Sequence, residues 1–155
     1  MTPAERKLLK AVKARVDDGT RAEEAIRSGA DPNLRDEYNL TAFVWCARKG
    51  HISVTRALAA AGADIEARDN TKRTAIHHAV LFNRAAFVEY LLSVGVDLSA
   101  EDMHGWTALD LAICEHLMPR FDPSIVPRLI AAKAPAPKHP EFFRPTAVGN
   151  GIRGA

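Results

Sequence analysis

Short helical stripes of apolar residues alternate with polar turns along most of the chain. In residues 41–50, TAFVWCARKG, the side chains of Phe43, Cys46 and Ala47 recur at positions i, i+3 and i+4, which is the spacing of one helical face. Residues 52–62, ISVTRALAAAG, form a second amphipathic stretch that ends in glycine, a residue that favours a left-handed helix end. The stretch that follows is polar and rich in turn formers. The pattern predicts a unit of one turn and two short antiparallel helices.

This unit recurs along the chain with a period of 33 residues. The triplet Gly29-Ala30-Asp31 returns as Gly62-Ala63-Asp64 and again as Gly95-Val96-Asp97. The same step relates two further sets, which are Asp36, Asp69 and Asp102, and the pairs Thr41-Ala42, Thr74-Ala75 and Thr107-Ala108. A coincidence among common small residues does not keep so many positions in phase. Because one such unit cannot bury its apolar faces alone, we expect the units to stack into a solenoid.

The repeated motifs resemble those of the ankyrin-repeat family. The stretch Asp102-Met103-His104-Gly105-Trp106-Thr107-Ala108-Leu109 is similar to its turn and helix start, and further matches are Thr74-Ala75-Ile76-His77, Gly50-His51, Leu91-Leu92 and Gly62-Ala63-Asp64. The resemblance covers residues 20–135 and implies an all-α fold, an ankyrin-repeat solenoid of stacked helix-turn-helix units with short hairpin-like loops. Alanine replaces the family's proline after each repeat threonine, and we expect Asn39 and Arg73 to stand at the turn glycine of the first two repeats.

We divide the chain into a single repeat domain over residues 1–135 and a Pro- and Gly-rich tail over residues 136–155. The domain consists of an N-terminal cap unit and three repeats, at 1–35, 36–68, 69–101 and 102–135. Two capping boxes, Thr2 to Glu5 and Thr20 to Glu23, are expected to start the helices of the cap unit. The basic side chains of its first helix, Lys13 among them, are assigned to the solvated outer face that terminal repeats need, and binding of acidic partners is the alternative.

The last repeat is stretched by five residues, which fall in 115–127 together with three prolines. Since proline interrupts a helix, we expect the second helix of this repeat to begin after Ser124 as its N-cap, and Lys133 to stand where earlier repeats have glycine. The insertion is either a binding loop or neutral drift at the terminus. Phe142 and Phe143 either fold back over the exposed end of the stack or belong to a tail used for contacts.

The resemblance places a binding surface on the turn tips and on one side of the inner helices, which line a concave face in this family. On a helical wheel, His78, Leu81 and Phe82 lie opposite the core positions. The predicted partner-binding residues are Tyr38, Leu40, Trp45, Arg48, Lys49, Arg73, His78, Leu81, Phe82, Met103, His104, Trp106 and Glu115. Aromatic residues, Met and Arg are enriched at protein interfaces. Packing between inner helices is the alternative for Trp45, His78 and Leu111, whereas Leu81 and Phe82 are expected to be exposed.

Six further residues are assigned to the scaffold, namely Thr41, Thr74, Thr107, His77, Gly62 and Gly95. The threonines are expected N-caps and the glycines are expected helix ends. By resemblance to the family, His77 hydrogen-bonds between neighbouring turns. His77 and His78 are adjacent and point about 100° apart on a helix, so they cannot chelate one metal ion together.

No arrangement of reactive residues in the sequence indicates catalysis. Cys114 and His116 are two residues apart and point to different sides of a helix, so they make a poor nucleophile–base pair. Cys46 lies two repeats from Cys114, which is too far for a disulfide. The sequence has no phosphate-binding glycine loop and no paired-cysteine zinc motif. We therefore expect no enzymatic activity, no cofactor and no metal site.

Composition narrows the class of partner. The net charge of +2 does not indicate nucleic acid, and no stretch reaches the roughly 18 apolar residues of a membrane span. The basic N-terminus lacks the apolar run of a signal peptide, so the expected location is cytoplasmic, and the Ala- and Arg-rich composition is typical of bacteria. The expected partner is another protein, which a monomeric chain binds and inhibits, as an immunity-type inhibitor does. The alternatives are a general adaptor, a host-directed effector scaffold or a homo-oligomeric structural protein.

Overall fold

A computed structural model of the chain describes residues 1–116 and 118–138. Eight helices follow one another in these ranges: α1 (Pro3–Lys13), α2 (Gly19–Arg27), α3 (Ala42–Lys49), α4 (Ile52–Ala60), α5 (Ala75–Leu81), α6 (Ala85–Val94), α7 (Ala108–Glu115) and α8 (Ile125–Ala131). Turns connect them, and Arg35 and Thr41 form an isolated antiparallel bridge. No strand is present in the described residues. The predicted all-α repeat solenoid is confirmed.

The helices pack in two rows. α1, α3, α5 and α7 contact one another in chain order and form what we call the inner row, and each packs on the helix that follows it. The following helices form the outer row, in which α2 contacts α4 and α6 contacts α8. Between the rows, the fully buried rings of Phe43 and Phe87 meet edge to face, with ring centres 6.3 Å apart. Phe87 on α6 thereby joins its own repeat to α3 of the preceding one.

Arginine side chains also join the turns of successive repeats. The guanidinium of Arg35 donates to the carbonyl oxygen of Arg68 over 2.9 Å, and the guanidinium of Arg68 donates to that of Glu101 over 3.2 Å. Donor and acceptor are 33 residues apart in both bonds. The period of the sequence is therefore also the period of the contacts that stack the turns.

The two helices of the cap unit begin differently from each other. Thr2 and Glu5 form the predicted capping box at the start of α1, with the Thr2 backbone N–H donating to Glu5 Oε2 over 2.6 Å. The second predicted box is wrong, because α2 begins at Gly19 and is capped by Asp18, whose Oδ1 accepts from the backbone N–H of Arg21. Thr20 lies inside the first turn of that helix.

A left-handed residue recurs in the repeat turns. Asn39, Lys72 and Gly105 occupy it with φ of 60°, 60° and 78°, and they are 33 residues apart. The prediction for the second repeat was therefore wrong by one residue, since Lys72 and not Arg73 has positive φ. Lys72 accepts this conformation at a steric cost that glycine avoids. At the end of α8, Lys133 has φ of 60° and takes the place of the earlier glycines, as predicted.

The insertion in the last repeat is anchored to the repeat before it. The side-chain amide of Asn83 donates to the carbonyl oxygen of Arg120 over 2.7 Å and accepts from the backbone N–H of Asp122 over 2.8 Å. Ser124 is the N-cap residue of α8, as expected, although its side chain makes no capping hydrogen bond. Pro127 is the third residue of the helix, where a missing N–H is tolerated.

Beyond α8 the chain returns to the start of α7. The backbone N–H of Lys138 donates to Asp110 Oδ1 over 2.7 Å, and the Lys138 ammonium pairs with the carboxylate of Glu101. Lys138 therefore contacts Asp110 at the repeat position from which His77 reaches the following turn. The predictions for Phe142 and Phe143 lie outside the described residues.

Candidate binding surface

Each repeat turn is organised by the aspartate at its start. Oδ1 of Asp36, Asp69 and Asp102 accepts from the backbone N–H groups two and four residues further on, over distances of 2.7 to 3.2 Å. An aspartate side chain that takes both N–H groups replaces backbone bonds that the tight turn cannot make. The turn tips are therefore held rigidly, and side chains mounted on them are preorganised.

The second carboxylate oxygen of these aspartates reaches an inner helix. Oδ2 of Asp36 accepts from Trp45 Nε1 over 2.7 Å and lies 2.9 Å from the ammonium of Lys13. Oδ2 of Asp69 accepts from His78 Nε2 over 2.8 Å. Trp45 and His78 hold equivalent positions, nine residues after their aspartates. At this position of the repeat, Trp45 in one repeat and His78 in the next hold the turn against the inner helix.

The third turn is fastened from the preceding repeat. Leu111 occupies the position that Trp45 and His78 occupy in the earlier repeats, and the leucine side chain has no hydrogen-bond donor. Oδ2 of Asp102 accepts instead from the Arg73 guanidinium, through Nε and Nη2, both at 3.1 Å. Burial alone raises the pKa of the Asp102 carboxyl, but the hydrogen bonds from the turn and from Arg73 outweigh it and hold the pKa below its ordinary value. Arg73 is thus committed to the scaffold.

Cations and aromatic rings alternate across the inner row, on the side of the turn tips. The Lys13 ammonium lies 4.7 Å from the ring centre of Trp45, and the Arg48 guanidinium lies 4.7 Å from the same ring and 4.6 Å from that of Phe82. The Phe82 ring stacks on the His78 ring, with centres 6.3 Å apart. We call these five residues the cation–ring ladder. It crosses α1, α3 and the end of α5, and cation–π attraction contributes about 0.5–2 kcal/mol per contact.

The structure separates the predicted partner-binding residues by exposure. Tyr38, Met103 and Phe82 are exposed to 63, 56 and 40%, and Lys49 and His104 are exposed as well. The half-buried members are Trp45, Arg48, Arg73, Leu81, Trp106 and Glu115. Among the inner-row residues for which packing was the alternative, Trp45 is therefore half-buried and Leu111 is buried.

Two of the predicted partner-binding residues are not available to a partner. Leu40 is only 5% exposed and His78 only 6%. Leu40 is drawn inward because its backbone N–H donates to Asp36, and His78 is covered because its own turn folds over it and Asp69 binds its ring. For Leu40 the prediction of an accessible side chain is wrong, and for His78 the alternative of packing between inner helices is correct, so we leave both out of the surface. The expectation that Leu81 is exposed is also wrong, because its side chain is half-buried against the core.

Sequence reasoning missed one member of the ladder. Lys13 was assigned to a solvated outer face, but its ammonium contacts the buried carboxylate of Asp36 and the ring of Trp45. The repeat pattern does not reveal this contact, because α1 belongs to the irregular cap unit. A usable signal was the position of Lys13 in the last turn of its helix, directly before the chain enters the repeats.

The predicted scaffold threonines and glycines lie where the helices begin and end. Thr41 Oγ1 and Thr107 Oγ1 accept from the backbone N–H three residues on, over 3.2 and 3.3 Å. Thr74 precedes α5 as its N-cap residue. Gly62 and Gly95 follow α4 and α6 with φ of 82° and 80°. In each case the residue type matches the backbone geometry that it must provide.

His77 ties its repeat to the next turn, as the resemblance implied. Its Nε2 is 3.1 Å from the carbonyl oxygen of Trp106, which can only accept, so Nε2 carries the hydrogen. Nδ1 then accepts from the backbone N–H of Thr74 over 3.3 Å. Burial lowers the pKa of His77 below its ordinary value, and this effect outweighs the Trp106 carbonyl, which favours the charged form. His77 therefore works as a neutral structural linker.

We expect the free energy of unfolding to fall on mild acidification. Burial lowers the pKa of both His77 and His78, so near pH 6.5 the unfolded chain binds protons that the folded chain does not. Stability therefore rises with pH through this window, by up to about 1.4 kcal/mol per pH unit for each histidine. The aspartates of the turns, whose pKa is lowered, add a further loss as pH falls below about 4.

Urea unfolding followed by circular dichroism between about pH 7.5 and about pH 5.5 measures this dependence. Replacing His78 by Gln should reduce the slope, because that position then binds no proton in either state. A flat profile across the window, or a slope that is unchanged in His78→Gln, contradicts the assignment.

Both cysteines lie on inner-row helices. Cys46 is buried on α3, and burial raises the pKa of its thiol to about 12. Cys114 is half-buried on α7, and no disulfide joins the two. No cluster of His, Cys, Asp or Glu in the described part of the chain is arranged to hold a metal ion. The geometry instead presents rigid turn tips beside a ladder of rings and cations.

A protein-family model described as ankyrin repeats matches residues 8–102 in three copies. Because this range covers more than half of the chain, the chain belongs to the ankyrin-repeat family. Ankyrin repeats are in general protein–protein interaction modules and are typically not catalytic. No curated protein is similar enough to the chain to count as a match. No helix in the described ranges is long and apolar enough to cross a membrane.

The matched range includes most of the unit that we treated as an N-terminal cap, and it stops at Asp102. The last repeat with its insertion lies beyond the matched range. The division of the chain into a cap unit, three repeats and a tail therefore stays a prediction.

Proposed function

We propose that this chain is a non-catalytic module that binds a partner protein through its turn tips and the open side of the cation–ring ladder. The observation that carries the proposal is a set of large apolar side chains, Tyr38, Phe82 and Met103, that stay exposed on rigidly held backbone. Aromatic and Met side chains are typical of interface centres. A preorganised surface also loses little conformational entropy on binding.

We propose further that binding inhibits the partner protein. A rigid surface that covers part of another protein blocks that part to other molecules, and it needs no chemistry of its own. We further infer that the chain acts as a monomer that needs no cofactor, binds neither nucleic acid nor membrane and works in the cytoplasm. The role is inhibitory if the covered part of the partner is its functional site.

Tyr38→Ala combined with Phe82→Ala should abolish or strongly weaken partner binding while the fold is kept. Each exposed aromatic side chain is expected to contribute more than about 1 kcal/mol to binding, whereas truncation of such side chains affects unfolding little. The measurement is affinity capture from a lysate of the native cells, followed by titration of the captured and purified partner. An activity assay of that partner then tests inhibition.

The matched control replaces two exposed apolar side chains of the outer row, Val94→Ala with Ile130→Ala. This variant should capture the same partner as the unaltered chain. If the control loses the partner and the Tyr38/Phe82 variant keeps it, the binding surface lies on the outer row and the proposal fails.

A further inference from the structure

Arg48 differs from Lys13 and Arg73 in having no carboxylate partner. Lys13 is paired with Asp36 and Arg73 with Asp102, but Arg48 has no ion pair within residues 1–116 and 118–138. Its guanidinium contacts two aromatic rings instead, and its Nε is buried without a hydrogen-bond acceptor. A guanidinium that has two ring contacts but no anion keeps unused donor capacity.

The charge around Arg48 is positive. Lys49 is its neighbour in the last turn of α3, and Arg84 donates from Nε to the carbonyl oxygen of Arg48 over 3.0 Å. Neither Lys49 nor Arg84 has a carboxylate partner in the described part of the chain. The Asp69 carboxylate is bound to its own turn and to His78, and the Asp36 carboxylate is bound to Trp45 and Lys13. Arg48, Lys49 and Arg84 are therefore neighbouring cations without a carboxylate partner in the described residues.

The terminal nitrogens of Arg48 are the donors that remain for an anion. The rings of Trp45 and Phe82 contact the guanidinium, and its terminal nitrogens make no hydrogen bond within the described part of the chain. Edge-on approach with two parallel donors is the geometry in which a carboxylate binds arginine most strongly. The Phe82 ring contacts the guanidinium and is 40% exposed, so it offers a contact for an apolar side chain next to the carboxylate.

We propose that Arg48 is the anchor for an acidic segment of the partner, in which an Asp or Glu carboxylate binds the guanidinium edge and a neighbouring apolar side chain packs on Phe82. This proposal rests on the proposed function and names the chemistry of its partner. Charge complementarity supports an acidic segment. A nucleic-acid ligand is disfavoured, because the chain has a net charge of only +2 and two aromatic rings of the protein already contact the guanidinium.

Fluorescence anisotropy with a short labelled peptide of alternating Glu and Leu tests the proposal, and the matching peptide of Gln and Leu is its control. The full chain should bind the Glu peptide at least about tenfold more tightly than the Gln peptide. Arg48→Gln should lose this preference, and Arg48→Lys should lose most of it because lysine cannot bind bidentately. Arg56→Gln, which removes the same charge from the exposed side of α4, should keep it.

A second measurement needs no substitution. In the ¹⁵N-labelled chain, the side-chain Nε–H resonance of Arg48 should shift when the Glu peptide is added and stay in place with the Gln peptide. The proposal is overturned if this resonance does not respond, if Arg48→Gln binds the Glu peptide as the unaltered chain does, or if a short single-stranded oligonucleotide binds more tightly than the Glu peptide.

The outcome is separable from that of the proposed function. If Tyr38 and Phe82 are needed to capture a partner but Arg48→Gln captures it equally well, the surface is correct and the acidic chemistry is wrong. If the Glu peptide binds through Arg48 but no partner depends on Tyr38 and Phe82, the chemistry is correct and the proposed binding surface is wrong.

Discussion

Phe87→Ala is expected to lower the free energy of unfolding by about 3–5 kcal/mol, the largest loss for any single substitution considered. The Phe87 ring is fully buried, meets Phe43 of the preceding repeat edge to face and lies 5.9 Å from the ring of Tyr90. Removing it leaves a cavity at the contact between two repeats. Since each repeat is stabilised mainly by its neighbours, weakening this contact weakens the whole stack.

Phe82→Ala is the matched control for this prediction. The residue type is the same and the position is five residues earlier, but the Phe82 ring is partly exposed and contacts Arg48 and His78 rather than the core. We expect a loss of about 1 kcal/mol or less. Urea unfolding of both variants gives the comparison, and similar losses for the two would show that Phe82 is a core residue.

Asp102→Ala is expected to cost about 3 kcal/mol of stability. Its buried carboxylate accepts from the backbone N–H groups of His104 and Trp106 and from the Arg73 guanidinium, so the substitution leaves these donors without their acceptor. Asp97→Ala is the control, because the Asp97 carboxylate also holds a turn, through the N–H of Ser99, but is exposed to water. We expect the control to lose less than about 1 kcal/mol.

A double-mutant cycle with Arg73→Ala isolates the contact between the two repeats. Arg73 is half-buried and bonds to Asp102 from the preceding turn, so we expect a coupling energy of about 1 kcal/mol or more. Additive losses in the two single variants and the double variant would mean that Asp102 acts only within its own turn.

The repeat architecture could be predicted because the same physical requirement recurs every 33 residues. Threonine caps, left-handed glycines and apolar stripes each restrict the backbone locally, and all of them indicated the same unit. The errors arose where two residues compete for one local role. Asp18 caps α2 in place of Thr20, and Lys72 rather than Arg73 adopts positive φ, and in both cases the competitors lie within two residues of each other.

Exposure on the binding surface was harder to predict, because a helical wheel ignores the turn that folds over the helix. His78 lies four residues after the cap Thr74 and is covered by its own turn, whereas Phe82 lies eight residues after it and reaches beyond the turn. The hydrogen-bond partner of each aspartate Oδ2 could not be predicted from the sequence either. It depends on which donor the neighbouring helix or the preceding turn brings close, and residues far apart in the chain decide that.

The segment after α8 has a consequence for how such a chain can grow in evolution. Asp110 receives the backbone N–H of Lys138 at the position from which His77, one repeat earlier, reaches the Trp106 carbonyl. A duplicated repeat inserted between the interior units can form the same hydrogen bonds from an arginine side chain to a backbone carbonyl on both of its sides. One added after α8 must first displace Lys138 from Asp110 and Glu101. Gain and loss of repeats should therefore be easier inside this array than at its C-terminal edge.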